Sequence, residues 1–449
     1  MPSRAPEVPS VPRNVVPVWA TPAEGKSIGE YKPDDFDPNK NKNSDVPRDK
    51  ALGTWASGST LFVVRGTAVT MLDIATGREI GRVTPPAPGL KPCAMTEGVN
   101  KDGVGGIAWT VYDDGTGTGV CKQLSFVDTR KGGTVLRTVE FAGKKRKDGS
   151  PWHWYSASIG FVGDDLVAVM TPTSVIAFRV GDGTTAWTWE NRSKDPSVFP
   201  DTRLIAPVHN TAMKTGPDLV AVISDSNQRG SGHDPELVTL DAAGRQIGAQ
   251  PTPVDGPSED ADAEIVALQP LTLLFPRTLG DDFAPQIVRF DRDGTRIGAF
   301  SLESPQGPVD SLGARTLHDH KTSPFQVVGN TLYAVTAKDL DTRVGGPGVV
   351  AFDLTSGRLL WNVPGTDWDR PILVRSDDKG VLVLTPSLQG IMLGSYAAAD
   401  GRMTTVSEAP RAEPRKGIQA DSIVDLVEGR ILVTGISPIG FGTQAFAAG

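Results

Sequence analysis

Apolar positions along this chain come in short runs broken by tight polar turns, and no stretch repeats with the 3.6-residue period of a helix. Leu72-Asp73-Ile74-Ala75-Thr76-Gly77-Arg78-Glu79-Ile80 shows the pattern: an apolar run, an Asp/Gly turn, then a second run. The fullest copy is Ala351-Phe352-Asp353-Leu354-Thr355-Ser356-Gly357-Arg358-Leu359-Leu360-Trp361. Weaker copies place their turn glycines at Gly77, Gly133, Gly183, Gly244, Gly294 and Gly401. A β-branched or aromatic run on each side of such a turn predicts a pair of antiparallel strands. A second signal precedes each turn, a short turn leading into an unbroken apolar run, as in Gly329-Asn330-Thr331-Leu332-Tyr333-Ala334-Val335. Unbroken runs are what strands buried on both faces require.

The turn glycines recur at intervals of about 50 residues, room for four short strands and their turns. This predicts an all-β fold, an eight-bladed β-propeller of four-stranded antiparallel blades, with seven blades as the alternative. The eighth blade draws on both ends of the chain. Gln444 to Gly449 is a strand that stops at the turn position, and Val15-Val16-Pro17-Val18-Trp19 resembles the Trp-bearing strand that follows the turn elsewhere. Pairing them closes the ring and hides two unpaired edges. The domain plan is a Pro-rich flexible segment over 1–14 and a single propeller over 15–449. Long polar loops are expected at 25–52 and 251–262.

Composition narrows the function. With 449 residues, 50 Gly and 36 Pro, the chain is built for turns. A net charge of -8 argues against a nucleic-acid partner or an anionic membrane surface. The basic cluster Lys144-Lys145-Arg146-Lys147 adjoins Asp148-Gly149 and reads as a solvated hairpin tip. The two cysteines, Cys93 and Cys121, bracket a predicted hairpin at Ile107–Tyr112. Antiparallel strands bring such a pair within the Cα distance of about 4.4–6.8 Å that a disulfide needs, and a bond implies an oxidising compartment. Two buried free thiols are the alternative. No signal peptide or apolar run of membrane-spanning length is seen, so either an anchor stands upstream of residue 1 or the protein is cytoplasmic with a loose N-terminus.

Ala351-x-Asp353-x-x-Ser356-Gly357-x-x-x-Trp361 resembles the tryptophan-docking repeat of quinoprotein-type (pyrroloquinoline-quinone-like) propellers. In that family the Trp packs between blades and the turn caps it. The chain is similar in style to extracytoplasmic actinobacterial members, which often carry one cysteine pair in an early blade, and more distantly to the outer-membrane assembly factor B group. The resemblance therefore implies an extracytoplasmic protein, secreted or membrane-anchored. The family divides into quinone-dependent dehydrogenases and non-catalytic scaffolds. The dehydrogenases use an adjacent-cysteine disulfide, a Glu/Asn/Asp calcium site and an Asp base. Here Cys93 and Cys121 are far apart in sequence and no cofactor-stacking Trp is assignable, so no cofactor is expected.

Candidate site residues come from the segments that precede the first strand of a unit, where the chain crosses the mouth of the central channel. These are Trp152, His153 and Trp154 in unit three, His209 in unit four, His318, Asp319 and His320 in unit six, and Trp368, Asp369 and Arg370 in unit seven. Trp55 takes the matching place in unit one. Together they make a polar and aromatic mouth suited to a protein partner or a small ligand, because Trp and Arg dominate interface energetics. The alternative is that such residues simply pack in loops. His318 and His320 share one face of an extended segment, but no wider ligand motif accompanies them and no metal is expected. Asp291-x-Asp293-Gly294 lacks the remaining ligands of a calcium loop and reads as a blade turn. No catalytic triad is present. The expected function is a non-catalytic interaction scaffold or ligand sensor, monomeric, with a quinone- or metal-dependent dehydrogenase or hydrolase as the enzymatic alternative.

Overall fold

The computed structural model describes residues 15–21, 51–66, 68–112, 119–141, 158–171, 174–190, 212–225, 235–251, 263–275, 285–304, 307–308, 325–336, 346–365, 371–386, 390–410, 423–427, 430–437 and 440–448. Among them every regular element is a strand, and the strands form eight four-stranded antiparallel sheets plus one two-stranded hairpin. Seven of the four-stranded sheets are continuous in sequence, spanning 51–82, 91–140, 159–190, 212–251, 264–301, 325–365 and 372–410. These are blades 1 to 7. Blade 8 takes three strands from 423–448 and its outermost strand, Val15–Ala20, from the other end of the chain. The first strand of each blade touches the first strand of the next, all the way round. The chain is an eight-bladed β-propeller.

Burial explains the unbroken apolar runs. The core is divided into eight clusters, one in each seam between neighbouring blades. Along strand Thr331–Val335, Leu332 and Ala334 enter the seam with blade 5, whereas Tyr333 and Val335 enter the seam with blade 7. A strand with a seam on each side needs apolar side chains at every position. The first strand of blade 1 starts at Ala51, so the polar loop expected over 25–52 ends earlier than predicted, and Leu52 is buried in the seam with blade 2. Glu303–Ser304 and Gly307–Pro308 form a separate two-stranded hairpin outside the blades.

All seven predicted turn glycines have positive φ, from 67° at Gly401 to 85° at Gly294, the region where glycine alone carries no steric penalty. In the fullest copy the Asp353 carboxylate accepts from the amides of Thr355 (2.8 Å) and Ser356 (2.7 Å) and from the Ser356 hydroxyl. The Ser356 amide and hydroxyl hold that carboxyl below its ordinary range. Asp291 and Asp293 both accept from the Thr295 amide, and with Gly294 they form the turn of blade 5, as the sequence predicts.

The outer strand of every blade contains one bulge. Its extra residue is Ile80, Leu136, Ala186, Ile247, Ile297, Leu360, Thr404 and Val18 in blades 1 to 8. A bulge bends an edge strand and interrupts its ladder, which makes it a poor template for a second chain. It also accounts for five of the six large apolar side chains left in solvent among the described residues, since Val18, Ile80, Leu136, Ile247 and Ile297 are bulge residues, while Met403 stands just before the bulge of blade 7.

In three blades the residue after the bulge reaches the next blade. In blades 3, 6 and 8 it is Trp187, Trp361 and Trp19. Each ring lies over the turn glycine of the following blade, Gly244, Gly401 and Gly77 respectively. Each indole N–H donates to the same turn carbonyl, from Trp187 to Ala242 (3.0 Å), Trp361 to Ala398 (2.8 Å) and Trp19 to Ile74 (2.9 Å). Other junctions reach the same end differently. Between blades 5 and 6, Phe300 covers Gly357 and the Arg289 guanidinium donates to the Leu354 carbonyl at 2.8 Å. Between blades 4 and 5, Gly248 replaces the tryptophan, and the Asp293 backbone of the next turn occupies the space a side chain would take.

Trp19 therefore clamps the N-terminal strand to blade 1 while its backbone pairs with blade 8. Arg430 of blade 8 donates to the same Ile74 carbonyl at 2.6 Å. Because Trp19 is only partly buried, Trp19→Ala is expected to cost about 2 kcal/mol, below the range for a fully buried Trp. A urea unfolding midpoint unchanged in this variant would show that the clamp contributes nothing.

Candidate functional site

Strand direction gives the ring two unlike faces. In an antiparallel blade the fourth strand ends on the face where the first strand of the next blade begins. The second-to-third connections lie there too. The opposite face carries the short Asp/Gly turns just described. The strands flanking 141–158, 191–211, 302–324 and 366–371 all end and begin on the first face. Those segments contain Trp152, His153, Trp154, His209, His318, Asp319, His320, Trp368, Asp369 and Arg370, which themselves lie outside the described residues.

Trp55 does not belong with them. It sits inside the first strand of blade 1, Ala51–Ser57, near the turn at Gly58 and so toward the opposite face. The side chain is 1% exposed, its indole N–H donates to the Thr96 carbonyl at 2.9 Å, and its ring lies 6.4 Å from that of Phe62. Trp55 is a core residue of the seam between blades 1 and 2. The sequence register errs in this unit because the blade opens at Ala51, before Trp55 rather than after it.

Cys93 and Cys121 form a disulfide, with their Cα atoms 6.2 Å apart. Cys93 lies at a bulge in the first strand of blade 2, and Cys121 lies in the third. The bond joins the core of the seam with blade 3.

Around the channel, polar side chains of one inner strand hold backbone carbonyls of the next. Gln326 donates to the Leu373 carbonyl (3.0 Å) and the Lys214 ammonium to the Val266 carbonyl (3.0 Å), both beside bulges in the receiving strand. A bulge leaves carbonyls without their ladder partner, and these side chains satisfy them. Next to Val266 stands Glu264, the first residue of the inner strand of blade 5 and so at the face that carries the long connections. Its Oε2 is buried without a hydrogen-bond partner. Burial pushes its carboxyl up to about 7, against the opposing pull of the Lys214 charge. Glu264 escapes a reading of the sequence because it ends the acidic run Glu259-Asp260-Ala261-Asp262. The one signal is its position at the head of the apolar Ile265-Val266-Ala267-Leu268. Among the described residues, no three His, Cys, Asp or Glu side chains come together as a metal site would need.

No protein family model matches the chain, and no curated protein matches it. Among solved structures it is similar to BamB from Moraxella catarrhalis, at 14% identity and a TM-score of 0.46, over 90% of this chain and 98% of that one. It is similar also to a eukaryotic initiation factor, at 12% identity and a TM-score of 0.46, over 89% of this chain and 86% of that one. A third is the dihydro-heme d1 dehydrogenase NirN in complex with DHE, at 14% identity and a TM-score of 0.46, over 84% of this chain and 68% of that one.

Proposed function

We propose that this protein is a non-catalytic propeller that presents a binding face at its channel mouth to a protein partner or a small ligand. The observation behind this reading is the asymmetry of the ring. One face consists of short turns committed to docking neighbouring blades. The strand ends of the other anchor all four segments rich in Trp, His and Arg. The repeat's own tryptophans are consumed in blade packing, so the repeat supplies a frame and leaves recognition to the connections. The Cys93–Cys121 bond favours a location outside the cytoplasm, where a disulfide persists.

The test uses photo-crosslinking side chains placed in the native host at Trp154 and Trp368, with Thr76 and Ser356 of the turn face as controls. A common partner is expected from the first pair and none from the second. Trp152→Ala, Trp154→Ala or Trp368→Ala is expected to weaken that partner by about 2 kcal/mol or more where the residue is a hot spot. Unchanged affinity in all three variants would remove this face as the interface. Stoichiometric binding of a metal, or of added quinone with calcium, would overturn the non-catalytic reading in favour of an enzyme.

A further inference from the structure

Among the described residues of the inner wall, Glu264 is an ionisable group whose surroundings suit its neutral form. Glu264 opens the strand Glu264–Leu268, paired to Leu274 in the second strand of blade 5. Four neighbours pack on this strand: Ala212–Thr215 and Leu219–Asp225 of blade 4, Leu271–Phe275 of its own blade, and Phe325–Val328 of blade 6. The only charged residues on these neighbours are Lys214 and, at a strand end, Asp225. Lys214 commits a proton to the Val266 carbonyl, so its charge reaches Glu264 through space without a hydrogen bond to the orphaned Oε2. Glu264 as a whole is half-buried, but its Oε2 lacks the donor that normally offsets burial of a charged oxygen.

We propose that Glu264 makes the inner strand of blade 5 a proton-sensitive joint, closed when the carboxyl is neutral and loosened when it ionises. Opening lets water solvate Oε2, and closing returns it to its unpartnered site. The direction follows from the carboxyl being harder to ionise in the closed ring, where burial pushes it up to about 7, than in an opened strand at the ordinary value of 4.5. The closed form then binds the proton more tightly. Its advantage is complete below the ordinary value and is lost as the pH rises through about 7. The joint lies at the face that carries the long connections.

Hydrogen exchange on the full chain at pH 5 and pH 8, corrected for intrinsic rates, reads this joint locally. Protection of amides in 264–275 is expected to fall about 10- to 100-fold between the two, since linkage allows up to tenfold per pH unit across the interval. Blade 3 amides in 159–171 are expected to hold constant as the internal reference. Glu264→Gln keeps the shape of the side chain and removes the titration, so its protection is expected to stay at the low-pH level throughout. A loss of the same size in Glu264→Gln, a loss spread evenly over all blades, or constant wild-type protection would each overturn the joint.

Discussion

Replacing Trp361 by Ala is expected to destabilise the protein by about 3–5 kcal/mol, the range for truncating a buried Trp. The side chain is 7% exposed, packs in the seam between blades 6 and 7, and lies 5.9 Å from the Tyr333 ring. Its loss would leave a cavity between two blades and strip the Ala398 carbonyl of its donor. Gly401→Ala attacks the same contact from the other side. A Cβ there would stand 2.7 Å from Trp361 Cδ2, on a backbone with φ of 67°. The clash depends on the indole and the strained φ does not. In a Trp361→Ala background, Gly401→Ala should therefore cost only the conformational penalty of about 1 kcal/mol. Urea unfolding of the two single variants and the double variant reads this coupling. Costs that simply add, within about 0.5 kcal/mol, would mean that Trp361 is not docked on Gly401.

Loss of the Cys93–Cys121 bond should be nearly as severe. The bond closes a loop with a sequence separation of 28 residues. On the chain-entropy estimate, a loop of that length is worth about 3.5 kcal/mol. Both sulfurs are buried, so reduction would require prior opening of blade 2 or its seam with blade 3. The expected result is a lower denaturation midpoint for Cys93→Ala/Cys121→Ala, and the same midpoint for wild type unfolded in reductant. Equal midpoints with and without reductant would show that the bond is absent from the folded protein.

The repeat itself is legible because its signals are local. A glycine at positive φ, an Asp whose carboxylate caps its own turn, and an apolar run are each properties of a few neighbouring residues, and they locate all seven turns correctly. The pairing of Val15–Ala20 with the C-terminal strand was legible for the same reason, since Trp19 stands in a strand resembling those of Trp187 and Trp361. Trp55 was misplaced because a Trp near the start of a blade looks the same whether it faces a channel or a seam. Only the strand register, set by the pairing of Trp55 with Phe62, distinguishes the two. Ile80, Ile247 and Ile297 have the composition of core residues and are exposed, because a bulge is defined by pairing with a partner strand and not by the residue that fills it.

Sequence alone placed the strand–turn–strand units and their turn glycines and pointed to closure of the ring by both chain ends. Those signals depend on backbone preferences that act over a few residues. The choice of eight blades over seven came from the strand pairing. Tertiary structure decided which junctions are filled by Trp, by Phe with Arg, or by a glycine that admits the next turn. It also decided which carbonyls the inner-strand bulges expose, and that one oxygen of the half-buried Glu264 is enclosed without a partner. Those features arise where residues of adjacent blades meet, and their energies depend on distance and dielectric between groups about 50 residues apart in the chain.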